Sequence, residues 1–374
     1  MRFVPDAASA LPILVTAFVL AAVLSLLLTP IVRRRAVRLG VVDRPNHRRV
    51  NTRPVPRAGG IAVALAFLAV AVVVVAVNDR LHLVRTPPFL DAGQLVALLA
   101  GGAAAAAIGA IDDYLDLRAR WQLIGQLALA FGAVALGIGI GSVNNPFGPG
   151  PITFAEPFAA GFTVLWILGM INSVNFIDGL DGLSSGIALI AAMTLGVISL
   201  TTQIGQPFVA VLCVTLAGAL LGFLRWNFHP ASVFTGTSGT MFVGYSLAVL
   251  SILGSAKVAV ALLVLGVPII DTFWIIVRRV LAGRSPFTPD RGHIHHRLLD
   301  LGLSHRQTVV LIYGICGALG ALSLILTGAN QVYAFLGVFV GTGLLLLLLA
   351  WGGSTDSALE ADSYANGDAP DGSG

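Results

Sequence analysis

Eleven apolar runs divide this chain, and no other feature of it restricts the fold as severely. They fall near residues 11–31, 58–77, 93–111, 121–141, 158–174, 183–201, 207–224, 236–254, 258–278, 308–327 and 331–350. A helix needs about 20 apolar residues to cross the hydrocarbon layer of a bilayer. Only a segment that satisfies its own backbone hydrogen bonds can stay there. Composition agrees, since 56% of the 374 residues are hydrophobic and 11% are charged, against roughly 25% charged in soluble domains. The expected fold is all-α, a polytopic membrane protein with eleven transmembrane helices. The first run is followed, not preceded, by its basic cluster (Arg33, Arg34, Arg35), so it reads as an anchored span and not as a cleaved signal. Cys213 and Cys316 lie inside apolar runs, as small buried hydrophobes.

Charge orients the bundle. If the N-terminus lies outside, the loops 32–57, 112–120, 172–182, 225–235 and 279–307 face inward. With Arg278 they hold eighteen of the 22 Lys and Arg residues, leaving Arg2, Arg80, Arg85 and Lys257 outside. The positive-inside rule then puts the N-terminus outside; the expected location is the plasma membrane, as a multi-pass protein. The remaining unusual residues gather on the same inner face: Asp112, Asp113, Asp116, Asp178, Asp181, His229, His293, His295 and His296. That places the expected active site at the cytoplasmic face. A transporter should instead collect its polar groups at the bilayer midplane. The expected organisation is one transmembrane domain over 1–351 and a disordered acidic cytoplasmic tail over 352–374, which has no Lys or Arg.

Five polar stretches on that face are candidates for chemistry. In Asn172-Ser-Val-Asn-Phe-Ile-Asp-Gly-Leu-Asp-Gly-Leu-Ser-Ser-Gly186, Asn172, Asn175, Asp178 and Asp181 recur every three residues. On a helix, neighbours at that spacing share a face. Two amides and two carboxylates facing one spot suit a metal or a polar substrate; a plain interhelical loop is the alternative. The loop from Asp43 to Gly60 carries Asn46 and Arg57 among further arginines and prolines, a shaped turn suited to phosphate or simply to anionic headgroups. Asp112 and Asp113 end the third run. Adjacent aspartates on a helix point in different directions, so only one enters a shared site easily.

The segment Gly236-Thr-Ser-Gly-Thr240 offers backbone N–H groups and hydroxyls to a phosphate at a helix N-terminus, or serves as an ordinary cap. Asp290, Arg291, His293, His295 and His296 form the last cluster. Its histidines suggest zinc, but no cysteine is near and the flanking arginines fit an anion better. Asp271, within an apolar run, is a functional candidate by its position, or a partner of Arg278 or Arg279. Together, carboxylates for Mg2+ and arginines and histidines for phosphates indicate phosphoryl transfer at the inner interface.

The motifs Arg-Pro-Asn-His-Arg-Arg with Pro-Arg-Ala-Gly-Gly, Gly-Ala-Ile-Asp-Asp, Asn-Ser-Val-Asn-Phe-Ile-Asp-Gly-Leu-Asp-Gly and His-Ile-His-His span the chain to about residue 350. On these motifs the chain resembles the polyprenyl-phosphate N-acetylhexosamine-1-phosphate transferases. The His-Ile-His-His form is similar to their GlcNAc-1-phosphate branch. The resemblance implies transfer of N-acetylglucosamine 1-phosphate from UDP-GlcNAc to a polyprenyl phosphate, giving polyprenyl-diphospho-GlcNAc and UMP, the first lipid-linked step of a cell-envelope glycan. It implies Mg2+, with Mn2+ as an alternative ion. It gives catalytic roles to Asp112, Asp113, Asp178 and Asp181. Asn46, Arg57, Asn172, Asn175, Thr237, Asp290, Arg291, His293, His295 and His296 become substrate contacts, and Asn175, Asp178 and Thr237 metal ligands. The implied partners are polyprenyl phosphate, UDP-GlcNAc and membrane lipid, with a homodimer left open and no nucleic acid.

One position departs from the family pattern. Relatives usually carry Gly-Asp-Ser-Gly where this chain has Gly236-Thr237-Ser238-Gly239, so an uncharged hydroxyl replaces a Mg2+ carboxylate. Metal binding should then lean on Asn175, Asp178 and one of the Asp112–Asp113 pair, with lower affinity. The same departure favours a second reading, a catalytically weak homologue that binds lipid phosphate or nucleotide sugar; another UDP-N-acetylhexosamine is the alternative substrate.

Overall fold

Asp91 and Ser304 show how the helices begin. Each closes a capping box, with Gln94 and Gln307 respectively, and so satisfies orphan N–H groups of the first turn. In a computed structural model the described residues are 7–43, 54–88, 90–145, 147–148, 150–201, 204–254, 261–262, 265–281, 283, 293–326 and 328–343. They form α1 (Ala7–Arg38), α2 (Gly60–Leu81), α3 (Ala92–Leu115), α4 (Ala119–Ala135), α5 (Glu156–Ile177) and α6 (Leu183–Ser199). There follow α7 (Pro207–Asn227), α8 (Gly236–Leu253), α9 (Gly266–Leu281), α10 (Ile294–Asp300) and α11 (His305–Ile325). A twelfth helix, α12, covers residues 329–343.

Every one of the eleven apolar runs contains helix among its described residues. Among the described residues, seven helices are long and apolar enough to cross a membrane: α1, α2, α3, α5, α7, α8 and α11. The chain is thus a mostly helical, polytopic membrane protein. Leu11, Val15, Val19, Val23, Leu27 and Ile31 form an exposed stripe down α1 at every fourth residue. Such a stripe belongs against lipid, not water.

Two expectations need correction. The run 121–141 does not stay helical, because α4 stops at Ala135 and Gly137 turns the chain at φ 86°. The loop placed at 172–182 is mostly helix: α5 continues to Ile177, leaving a turn of five residues before α6. The structure agrees with the expected helical, polytopic architecture. Two small antiparallel hairpins are present, β1 (Val42–Asp43) with β2 (Val55–Pro56), and β3 (Ser142–Asn144) with β4 (Pro151–Thr153). Asn46, Asp290, Arg291 and the tail 352–374 lie outside the described residues.

α7 and α8 are the buried centre. α7 packs chiefly on α1 and α6, α8 on α3 and α5. Gly218 and Gly222 on α7 admit the α1 backbone at Phe18 and Ala22, where any Cβ would overlap it. This is the small-residue spacing that lets membrane helices approach closely. Phe67 of α2 meets Phe242 of α8 with ring centroids 5.7 Å apart.

Candidate active site

The C-terminal ends of α3, α5 and α7 and the N-terminal ends of α6, α8 and α11 open at the same end of the bundle. The β1–β2 hairpin is pinned there by Phe234 N–H to Pro56 O and Gly59 N–H to Phe234 O, each 2.9 Å. These ends enclose a cleft of about 530 Å³ lined by, among others, Arg57, Asp113, Asn175, Asp178, Asp181, His229, Thr237, His296 and His305.

The Asp112–Asp113 pair divides its labour. Asp113 accepts from the backbone N–H groups of Thr237 (2.8 Å) and Ser238 (3.0 Å). It therefore sits on the α8 N-terminus, the end at which the helix dipole favours negative charge. Gly236, at φ 71°, makes room, since a Cβ there would lie 2.6 Å from the Asp113 carboxylate. Consequently these amides are occupied by Asp113 and are not free donors for a phosphate. Asp112 turns away from the cleft. It accepts from Leu117 N–H (3.0 Å) and Gln122 Nε2 (2.8 Å), holding the α3–α4 turn.

The three-residue spacing of the amides also splits. Asn172 donates to Gln126 (2.7 Å) and to Leu168 O, tying α5 to α4 above the cleft. Asn175 lies one turn lower, in the cleft, with its carbonyl oxygen accepting from Thr240 (3.0 Å). Asp178 caps α5 and accepts from the Ser184 hydroxyl. Burial pushes its carboxyl up to about 6, the Asp113 and Asp181 charges add to the rise, and the Ser184 and Thr235 hydroxyls oppose it. Asp181 accepts from His229 Nδ1 (2.7 Å) and Ala231 N–H (3.0 Å).

The three histidines do not act as a block. His293 Nδ1 pairs with Asp271 Oδ2 at 2.7 Å, and Asp271 Oδ1 accepts from Ile294 N–H at 2.9 Å. Asp271 therefore anchors the start of α10. His295 is buried against Gly179, with both ring nitrogens unpartnered among the described residues. Burial drives its proton affinity well below the usual imidazole range, with His296 and His293 adding to the fall, so the ring is neutral. Only His296 of the three lines the cleft. Arg57 reaches the cleft from β2 and lies 3.7 Å from the exposed Asp116 carboxylate, an ion pair too open to fix it strongly.

His229 and His305 also line the cleft. Neither belongs to a motif from which ligand roles were drawn, although both fall on the inner-face side of the charge map. Among the described lining residues Arg57 is the one permanently cationic side chain, facing the carboxylates of Asp113, Asp178 and Asp181. Within that crowd, the Asp178 carboxylate with the Asn175 amide oxygen alongside is a hard oxygen donor pair that suits Mg2+.

A membrane-embedded helical bundle with a carboxylate cleft at one end describes a class of enzyme more than a single protein, and comparison narrows it. A profile described as Glycosyl transferase family 4 matches residues 95–255. The chain is 34% identical over 331 residues to a probable undecaprenyl-phosphate N-acetylglucosaminyl 1-phosphate transferase of Bacillus subtilis, covering 86% of each chain. It is 35% identical over 355 residues to a decaprenyl-phosphate N-acetylglucosaminephosphotransferase of Mycolicibacterium smegmatis, covering 88% of this chain and 86% of the relative. An undecaprenyl-phosphate alpha-N-acetylglucosaminyl 1-phosphate transferase of Yersinia pestis is 27% identical over 293 residues, covering 75% of this chain and 76% of the relative. The chain belongs to glycosyl transferase family 4.

Proposed function

We propose that this protein transfers N-acetylglucosamine 1-phosphate from UDP-GlcNAc to a membrane polyprenyl phosphate, releasing UMP. The observation that carries the reading is the single cleft that gathers Asp113, Asn175, Asp178, Asp181 and Arg57 at the membrane-edge end of the bundle, in a chain whose relatives are named for that transfer. The cleft faces the cytoplasm, where UDP-GlcNAc is made, and the N-terminus lies outside.

A lipid phosphate oxygen attacks the sugar-bound phosphorus of UDP-GlcNAc. One P–O bond forms, the P–O bond to UMP breaks, and the electron pair leaves with UMP. A phosphate monoester with its second pKa near 6 is mostly dianionic at neutral pH. The reaction therefore needs charge neutralisation and alignment more than a general base. Asp178 and Asn175 would hold Mg2+, which would supply charge stabilisation to the diphosphate. Asp113 locks the Thr237–Ser238 turn that forms the cleft wall, and Arg57 meets phosphate oxygens. No aspartate is required to become phosphorylated.

Thr237 stands where the family pattern leads one to expect a carboxylate. Restoring it, Thr237→Asp, should lower the Mg2+ concentration needed for half-maximal rate; an unchanged Mg2+ dependence would show that the position does not contribute to binding. The activity itself is tested by incubating purified protein with polyprenyl phosphate, Mg2+ and a panel of UDP-sugars. UMP release with UDP-GlcNAc is expected. Absence of UMP with every sugar would sink the enzyme reading in favour of a binding role.

A further inference from the structure

Asp181, His229 and His305 come from three different elements: the α5–α6 turn, the α7–α8 connection and the first turn of α11. Each offers one ligand atom, and these atoms all lie within 4.8 Å of one another. His229 Nδ1 stands 2.7 Å from Asp181 Oδ2, and the His229 and His305 rings stack with centroids 4.1 Å apart. His305 Nε2 is buried and has no hydrogen-bond partner among the described residues. A bare buried imidazole nitrogen beside a second imidazole and a carboxylate is costly without a partner. A cation that accepts nitrogen lone pairs would supply one.

We propose that Asp181, His229 and His305 form a binding site for a borderline transition-metal dication of the Zn2+ or Co2+ class. It is separate from the oxygen-donor set of Asn175 and Asp178. Two imidazoles and one carboxylate are a common three-ligand set for such ions, and leave a fourth position for water. Mg2+, which prefers oxygen ligands, is the wrong ion for it. The metal takes the place of the proton shared by His229 and Asp181 and gives His305 Nε2 its partner. The supporting contacts are in place: Asp181 Oδ2 accepts from Ala231 N–H at 3.0 Å, Arg306 Nε donates to His229 O at 3.3 Å, and His305 meets the Asp181 backbone carbonyl. Groups of this kind orient ligands. A bound ion would staple α11 to the α5–α6 and α7–α8 connections at the cleft mouth.

The inference does not rest on the transfer reaction, because its readout is the metal itself. Full-length protein in detergent, freed of any polyhistidine tag, is titrated with Co2+ and followed by visible d–d absorption. Wild type is expected to bind about one equivalent with the strong bands of a low-coordinate ion, and added Zn2+ should abolish them. His305→Gln and His229→Gln should each weaken binding by more than about tenfold, while His296→Gln should leave the bands unchanged. Zn2+ should raise the thermal unfolding midpoint of wild type and of His296→Gln, but not of His305→Gln or His229→Gln, so that a variant that merely folds poorly is distinguished by its response to metal. No such bands in wild type, or bands that persist in both His305→Gln and His229→Gln, would overturn the proposal.

Discussion

Asp178 has both neighbours and burial set against its ionisation. Unfolded, its carboxyl ionises near the ordinary 3.8; folded, near 6. The folded state therefore holds the proton more tightly. Its stability contribution is fully present below 3.8 and is lost as pH rises through about 6. Asp178→Asn is uncharged at every pH. In chelator at neutral pH it should be more stable than wild type by on the order of 1 kcal/mol, a figure discounted for the solvent-open cleft. Below pH 3.8 the difference should vanish. Added Mg2+ should stabilise wild type and not the variant, measured as thermal unfolding midpoints. On the proposed metal role of Asp178, protons would compete with Mg2+ for this carboxylate. At sub-saturating Mg2+ the transfer rate should fall as pH drops through about 6, and excess Mg2+ should move that fall to lower pH.

At this scale the residue types were legible in the sequence, but their directions were not. Spacing says that only one of Asp112 and Asp113 enters a site easily. Which one depends on where Gln122 and the α8 amides lie, 10 and 124 or more residues away in the chain. The His293–His296 cluster reads as one unit along the chain, yet Asp271 captures His293 and Gly179 covers His295. Asp181 and His229 are 48 positions apart, so no local pattern could pair them.

Among the elements, hydrophobicity located the helices, because a spanning run has few other ways to satisfy its backbone. Their ends depended on chemistry that hydropathy does not weigh. Gly137 ends α4 early, and the polar residues at the foot of α5 stay helical because Asn172 and Asn175 find partners on α4 and α8. The α1–α7 contact was not evident from pattern, although Gly218 and Gly222 carry it. Gly222→Leu should force α1 off α7 and cost about 1–3 kcal/mol, seen as a lower unfolding midpoint. Gly314→Ala, at a glycine with open space around it, is the control and should change little.

For the molecule as a whole, the charge asymmetry of the loops is a statement about sidedness. Both native cysteines are buried, so single-cysteine probes can be read against a silent background. Gly148→Cys, exposed in the β3–β4 connection at the end of the bundle opposite the cleft, should react with a membrane-impermeant thiol reagent on intact cells. Ser304→Cys, exposed at the cleft end just before α11, should react only after permeabilisation. The reverse pattern would place the cleft outside and remove its access to cytoplasmic nucleotide sugar.

In the proposed reaction the phosphorus attached to the sugar moves to the lipid. UDP-GlcNAc labelled in that phosphorus, given to purified protein with polyprenyl phosphate and Mg2+, tests it directly. Label is expected in the solvent-extracted lipid, with an equal amount of UMP in water, and Asp178→Asn should slow the transfer by about 100-fold or more. Label that stays in water as UDP-GlcNAc or sugar phosphate, or an Asp178→Asn protein that transfers at the wild-type rate, would contradict it.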